Sequence, residues 1–269
     1  AVDVRARVGK PIVSHSSDWK NWAWDFYTKL DAFDLKKALP GISENNPFTS
    51  GRADGELWIS FDEGVVKSVT ADLVLNDIRA SLPAHPQPIV ARHLQVQTNV
   101  VRDEQQLEIK LGHLALKSEN GRTFGPLSGS ASITFDPAWT ETQEGYVTLS
   151  QLNLHSLCQI LLENKTVPES VRHTLVQYAP SGTVKNIDFS WKGSYKAPSD
   201  WHFASDFMQL TLLAQPSTNG IGQPGFADLV GSVNMSPKSG TLTLKGASEV
   251  TFPGVFENER IAIERLTGK

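Results

Sequence analysis

Period-two alternation of apolar and polar side chains constrains this chain most, because it commits long stretches to strands that are apolar on one side only. The cleanest case is Leu127-Ser-Gly-Ser-Ala-Ser-Ile-Thr-Phe135, where Leu127, Ala131, Ile133 and Phe135 alternate with Ser128, Ser130, Ser132 and Thr134. Leu57, Ile59 and Phe61 lead into Asp62-Glu63-Gly64, and Val65, Val69, Ala71, Leu73 and Leu75 follow on one parity. A three-residue loop ending in Gly suits a type I turn plus a left-handed residue, which pairs Phe61 with Val65 and Leu57 with Val69. The next hairpin, centred on Arg102-Asp103, matches Leu94 to Leu111, Val96 to Ile109 and Thr98 to Leu107, with Gln95, Gln97, Glu108 and Lys110 opposite. Leu229 to Met235 repeats the pattern through Val233, and Leu242, Leu244, Val250, Phe252, Ile261 and Ile263 continue it. One-sided strands of this kind belong to antiparallel meanders with one wet face.

The alternation is organised in a unit used twice. Leu30-Asp-Ala-Phe-Asp-Leu35 precedes a short helix-like piece ending at Leu39-Pro40, then Ser50-Gly51 and the run Leu57, Ile59, Phe61. Leu149-Ser-Gln-Leu-Asn-Leu154 precedes a longer helical piece, then Ser181-Gly182 and the run Ile187, Phe189, Trp191. Repeated units bury apolar surface by stacking on one another, which points to an elongated protein working along a surface. In the middle, Asn153 is placed to cap a helix carrying Leu154, Leu157, Cys158, Leu161 and Leu162, and a second helix runs from near Pro168 to Pro180. The expected partition is a first β unit over residues 1–148, a helical connector over 149–182 and a second β unit over 183–269.

Composition removes several classes of function. A formal net charge of −4 and the lack of any Lys/Arg cluster leave no electrostatic footprint for nucleic acid. Cys158 is the single cysteine, so no disulfide framework exists within the chain. No stretch reaches the length of a membrane-spanning helix, and Ala1-Val-Asp-Val carries no basic region or apolar signal core. The chain therefore reads as a soluble protein or as an excerpt of a longer one. His93 and His113 are expected on opposite faces of their hairpin with no third ligand, so no metal site is predicted. Ser128 to Ser132 form the polar side of a strand, not a nucleophile elbow. Asp103/Glu104 and Glu257/Glu259 sit at turns where nothing separates their pKa values. No cofactor motif and no catalytic constellation are present, and no enzymatic activity is expected.

Trp19, Trp22, Trp24 and Phe26 form an aromatic cluster in which Trp22, Trp24 and Phe26 share a strand face. Such a row lines a core or groove, or serves as a platform for a sugar. Alternation leaves two fates open for the shared apolar face. In a closed sandwich a second sheet covers it at about 10 Å. In an open trough it stays exposed and offers acyl chains about 0.8 kcal/mol per buried methylene.

The Trp22-x-Trp24-x-Phe-Tyr27 strand, the Leu35 to Pro40 step, and Gly51-Arg-Ala-Asp-Gly55-Glu-Leu-Trp58 with its Asp-Glu-Gly64 turn resemble the YhdP-like branch of the AsmA-like proteins. Ala179-Pro-Ser-Gly182 before Ile187-x-Phe-x-Trp191, and Leu229-x-Gly231 before Gly240-Thr-Leu-Thr-Leu-Lys-Gly246, agree with it. The resemblance implies an internal segment of a long Gram-negative envelope protein, periplasmic and held to the inner membrane by an anchor outside this segment. It implies a mainly β fold: a curved, twisted antiparallel sheet forming an open apolar groove from repeated β units, with a short helical hairpin between units. The implied ligand is the acyl chains of phospholipid moving toward the outer membrane, and no catalytic residue or protein partner is specified. The groove lining expected on this basis is Trp22, Trp24, Phe26, Leu57, Ile59, Phe61, Val69, Leu73, Leu75, Leu94, Val96, Ile109, Leu111, Leu127, Ile133, Phe135, Ile187, Phe189, Trp191 and Val233. The alternatives are a closed β-sandwich that binds a protein partner, or a glycan-binding domain using the Trp19 to Phe26 cluster.

Overall fold

The computed structural model describes residues 2–9, 22–37, 47–81, 88–164, 167–217, 220–256 and 260–268. Trp19, the Leu39-Pro40 step and Glu257 to Glu259 lie outside the described residues. The contacts divide the chain into residues 1–143 and 144–269. The first unit contains β1 (Val2–Gly9), β2 (Ala23–Asp34), a 3-10 turn (Leu35–Lys37), β3 (Phe48–Asp62), β4 (Val65–Ala80), β5 (Ile89–Asp103), β6 (Gln106–Lys117) and β7 (Thr123–Phe135). The second contains β8 (Thr142–Asn153, paired from Glu144 onward), α1 (Leu154–Glu163), α2 (Glu169–Tyr178), β9 (Ser181–Lys192), β10 (Asp200–Leu212), β11 (Gly225–Met235), β12 (Gly240–Thr251) and β13 (Arg260–Gly268). The helices therefore join β8 to β9 inside the second unit, where the sequence reading set them between two units.

Within each unit every strand pairs antiparallel with its chain neighbour, as in a meander. In the first unit β1 pairs with β2 and not with β7, so the sheet does not close into a barrel. Neither unit carries a second sheet over its face among the described residues, which removes the closed sandwich. Burial agrees. The best-buried apolar side chains include the small Ala53 at 0%, Ala91 at 3% and Ala71 at 6% exposure, and among the described residues no large side chain falls below 2%. A two-layer core would bury its Leu and Phe completely; here they are mostly half-buried.

Two hairpins differ from expectation in detail. Asp62 pairs with Val65, so β3 and β4 are joined by a two-residue turn, with Glu63 at φ 51° and Gly64 at φ 75°. Two left-handed residues make a type I′ turn, whose twist matches that of the strands better than the three-residue loop. Lys67 is then left unpaired by a register shift, so Val66 faces Phe61, and Leu57 faces Ala71 in place of Val69. In the β5–β6 hairpin the turn is Glu104-Gln105, and Thr98 faces Leu111 while Val100 faces Ile109. The pairing is displaced by four residues from the expected register between the turn and Leu111, and by five beyond the unpaired Gly112. The even slip leaves the side chains from Leu107 to Leu111 on their expected face, and the parity changes only past Gly112.

The repeat is visible in the backbone. Gly51 has φ +140°, and a Cβ there would stand 3.3 Å from Ile78 Cα, just past left-handed Asp77 at φ 50°. Gly182 has φ +107°, and a Cβ there would stand 2.8 Å from Leu210 Cα, just past left-handed Gln209 at φ 52°. Only glycine fits both the conformation and the space at the first member of each pair. Each kink ends in an apolar cluster: Ile78, Ala80 and Ala91 with Leu75 and Leu94 in the first unit, and Phe207, Leu229 and Leu244 with Leu210 and Phe226 in the second.

The helical hairpin forms as its sequence dictates. The Asn153 side chain accepts from Ser156 N–H at 2.8 Å and caps α1, whose buried Cys158 lies on the expected apolar stripe. Helix α1 packs on β9 and α2 packs on α1. Ala179, left-handed at φ 41°, ends α2 with its N–H on Leu175 C=O.

Candidate functional site

The register gathers the expected residues of the first unit into cross-strand rows. Val8, Trp24, Phe61 and Val66 form one row across β1 to β4. Phe26, Ile59, Val69, Val100, Ile109 and Ala131 form the next, followed by Thr28, Leu57, Ala71, Thr98, Leu111 and Gly129. Below these run Gly55, Leu73, Val96, Leu114 and Leu127, then Ala53, Leu75, Leu94, Leu116 and Phe124. Ile133 opposes Leu107 at the β5–β6 turn end, and Phe135 lies just beyond. These rows contain no charge, and Thr28 and Thr98 are their only polar side chains. The reverse face carries Asp25 bonded to Ser60, Lys29 at 3.6 Å from Glu56, Gln97 bonded to Asp72 and Asn99 bonded to Thr70.

The aromatic row occupies the same apolar face. Trp22 and Trp24 stack at 6.4 Å, Trp24 and Phe26 at 5.8 Å, and Phe26 meets Phe61 edge-on at 5.9 Å. These rings continue a hydrocarbon surface; no carboxylate pair of a sugar-processing site stands beside them among the described cross-strand partners.

In the second unit Gly145, Trp191 and Trp201 share a row, followed by Val147, Phe189, Phe203 and Met235. Leu149 opposes Ile187, Ser205 opposes Val233, and Val233 opposes Leu242. Phe189 and Trp191 stack at 5.5 Å. Gly145 makes this possible, because a Cβ there would stand 2.1 Å from the Trp191 ring, which lies across the β8 backbone. A cavity of about 770 Å³ opens on this face, lined by Val184, Phe203, Phe207, Leu210, Phe226, Leu229 and Val233, with Ser205 and Thr241 as its polar side chains. Of the expected lining only Val233 borders it.

β10 supplies Phe203, Ser205, Phe207 and Leu210 to that cavity, and it is not among the strands that the alternation predicts. Trp201, Phe203 and Phe207 do alternate, but Ser205 interrupts the apolar parity and left-handed Gln209 switches it. β1 likewise forms outside the expected strands, although Val2, Val4, Ala6 and Val8 alternate with Asp3, Arg5 and Arg7. His93 and His113, expected on opposite faces, lie on the same one. Gln97 opposes His113, so His113 and His93 share the polar face; Gly112 is the unpaired extra residue that switches parity before His113. His93 Nδ1 lies 2.8 Å from Asn76 Oδ1. Among the described residues no group of His, Cys, Asp or Glu is arranged to hold a metal ion.

The Cys158 thiol is pushed up by burial, away from reactivity. The Tyr146 phenol is pushed up by its hydrogen bond to Asp188 on the polar face of β8 and β9. No helix among the described residues is long and apolar enough to cross a membrane. Among the described residues the rows offer mostly apolar surface, broken by Thr28, Thr98 and Ser205, with no acid–base pair upon it. No curated protein and no solved structure matches the chain. The family model described as YhdP protein matches residues 1–269, and the chain belongs to the YhdP family.

Proposed function

We propose that this chain is a periplasmic segment of an intermembrane phospholipid-transport protein, and that acyl chains travel along its apolar sheet faces toward the outer membrane. Membership of the YhdP family, a cell-envelope family associated with lipid transport, supports this reading. The observation that carries it is an apolar face in each unit, several strands wide, left uncovered by a second layer and backed by a hydrogen-bonded polar face. An exposed apolar area of this kind exceeds what soluble monomers ordinarily tolerate, so it calls for a ligand. Hydrocarbon is the ligand whose chemistry it matches, because each methylene moved from water contributes about 0.8 kcal/mol. Headgroups remain in water, and the inner-membrane anchor lies outside this segment. The function is non-enzymatic and uses no cofactor or metal.

The test is native mass spectrometry of the protein purified from a Gram-negative host, with lipid extraction of the same sample. Bound phospholipid that is released on unfolding is the expected result. A lipid-free protein that also fails to bind added phospholipid would sink the proposal. Saturable oligosaccharide binding at the Trp22 to Phe26 row would favour the glycan reading.

A further inference from the structure

At the β5–β6 turn a charge enters the apolar face of the first unit. Arg102 opposes Leu107, which opposes Ile133, so the guanidinium stands at the head of the rows that carry Val100, Ile109 and Ala131. It is half-buried, and its Cζ lies 3.8 Å over the Trp139 ring, which stacks on Phe135 at 4.8 Å. The stack is held from below. Trp139 Nε1 donates to Glu104 C=O at 3.0 Å, Phe135 N–H donates to Gln105 C=O at 2.7 Å, and the Asp136 carboxylate accepts from Thr140 N–H at 2.7 Å and from Glu141 N–H at 3.1 Å. No carboxylate among the described residues lies within ion-pair distance of Arg102.

We infer that Arg102, oriented by Trp139, binds the phosphate of a lipid whose acyl chain lies on the rows below it. The inference rests on the lipid reading above and adds a headgroup site to it. Charge complementarity selects the ligand: a cation at the margin of a neutral apolar face is matched by an amphiphile with an anionic head. A guanidinium spreads its donors in a planar fork that suits two phosphate oxygens, and its cation–π seat on Trp139 orders the fork before a ligand arrives. Three rows beyond Arg102 run to Val96 and Leu127, and at two residues per row they offer about 20 Å of apolar face for the chain.

The test compares palmitoyl lysophosphatidic acid with monopalmitoylglycerol, which differ only in the phosphate, and uses glycerol 3-phosphate as the head without a chain. Binding to the 269-residue chain is followed by native mass spectrometry below the micelle concentration. The wild type should prefer lysophosphatidic acid by roughly 10- to 100-fold, the range expected of charge-assisted bonds. Arg102→Gln should erase that preference while leaving monopalmitoylglycerol binding unchanged, and Arg102→Lys, which keeps the charge without the fork, should retain part of it. A preference that survives in Arg102→Gln, or that the wild type lacks while still binding monopalmitoylglycerol, overturns the headgroup site alone. Binding of neither amphiphile overturns it together with the lipid reading. Glycerol 3-phosphate binding as tightly as lysophosphatidic acid would mark a site for soluble phosphate and overturn the lipid assignment.

Discussion

Leu73→Asp separates an open face from a covered one. Leu73 stands mid-face, with Gly55 on one side and Val96 on the other, and it is half-buried with no layer above it. Truncating the apolar contact forfeits about 1 kcal/mol, half the value of a fully buried leucine. Aspartate's poor fit to a strand adds up to about 1 kcal/mol. The new carboxylate stays hydrated beside Gly55, which has no side chain to enclose it, so no burial penalty is added. The sum of about 1–2 kcal/mol corresponds to a fall in melting temperature of roughly 2–8 °C for a protein of this size. Under a second sheet the same charge would be buried and unpaired, at about 3–5 kcal/mol, and the unit would be expected to lose its fold. Calorimetry gives the stability, and lipid extraction gives the occupancy. Near-native melting with phospholipid retention reduced several-fold is the expected pair of results. Unfolding of the first unit, or undiminished lipid in a folded variant, would refute the reasoning. Thr70→Asp, on the polar face between Trp58 and Asn99, is the control and should alter neither quantity much.

Gly145→Val drives a side chain into the Trp191 ring and should destabilise the second unit by about 1–3 kcal/mol, read as an earlier thermal transition. Asn153→Ala removes the α1 cap and should cost about 1 kcal/mol, seen as faster amide exchange in the first turn of α1 with β9 unaffected. The Asp136 carboxyl is held below its ordinary range, chiefly by the Thr140 hydroxyl and also by the Glu141 N–H, so it carries more protons unfolded than folded. Its stabilisation of the loop is therefore present above the ordinary carboxylate pKa and is lost as pH falls through the lowered folded value. Trp139 fluorescence should change in that acid range, and Asp136→Asn should show the altered signal already at neutral pH.

The faces of the sheet were legible in the sequence, while its registers were only partly so. Leu57, Ile59, Leu73, Leu94, Val96, Ile109 and Ile133 lie on one side as their alternation requires, because parity within a strand is a local property. Which residue faces which depends on turn geometry and on single unpaired residues. Glu63-Gly64 formed a tighter turn than the glycine alone suggested, and Gly112 carried His113 to the other face. β10 stayed hidden because Ser205 and left-handed Gln209 break the pattern that would reveal it, yet Phe203, Phe207 and Leu210 line the cavity of the second face. The strand's apolar character is distributed over a kink, and a fixed period does not follow a kink.

This division between legible faces and illegible registers has a functional counterpart if lipid passage is the work done here. A catalytic site fixes a few atoms within fractions of an ångström, so a register error would destroy it. A hydrocarbon chain reads only whether the surface beneath it is apolar, since the hydrophobic effect is non-directional and scales with area. A four-residue slip such as that between the expected and actual partners of Thr98 in the β5–β6 hairpin would exchange Leu111 for Leu107 opposite it and leave the sliding surface equivalent. Specific residues matter where the face ends or bends. They matter at Gly51 and Gly182, where only glycine lets the strand kink, and at Gly145, where Trp191 needs the space. They matter at Arg102 and Trp139, where a charge and an indole mark the turn end of the first face. Substitutions among the leucines, isoleucines and valines of the rows should therefore be exchangeable with one another as long as parity is kept. Changes at these few positions should not be.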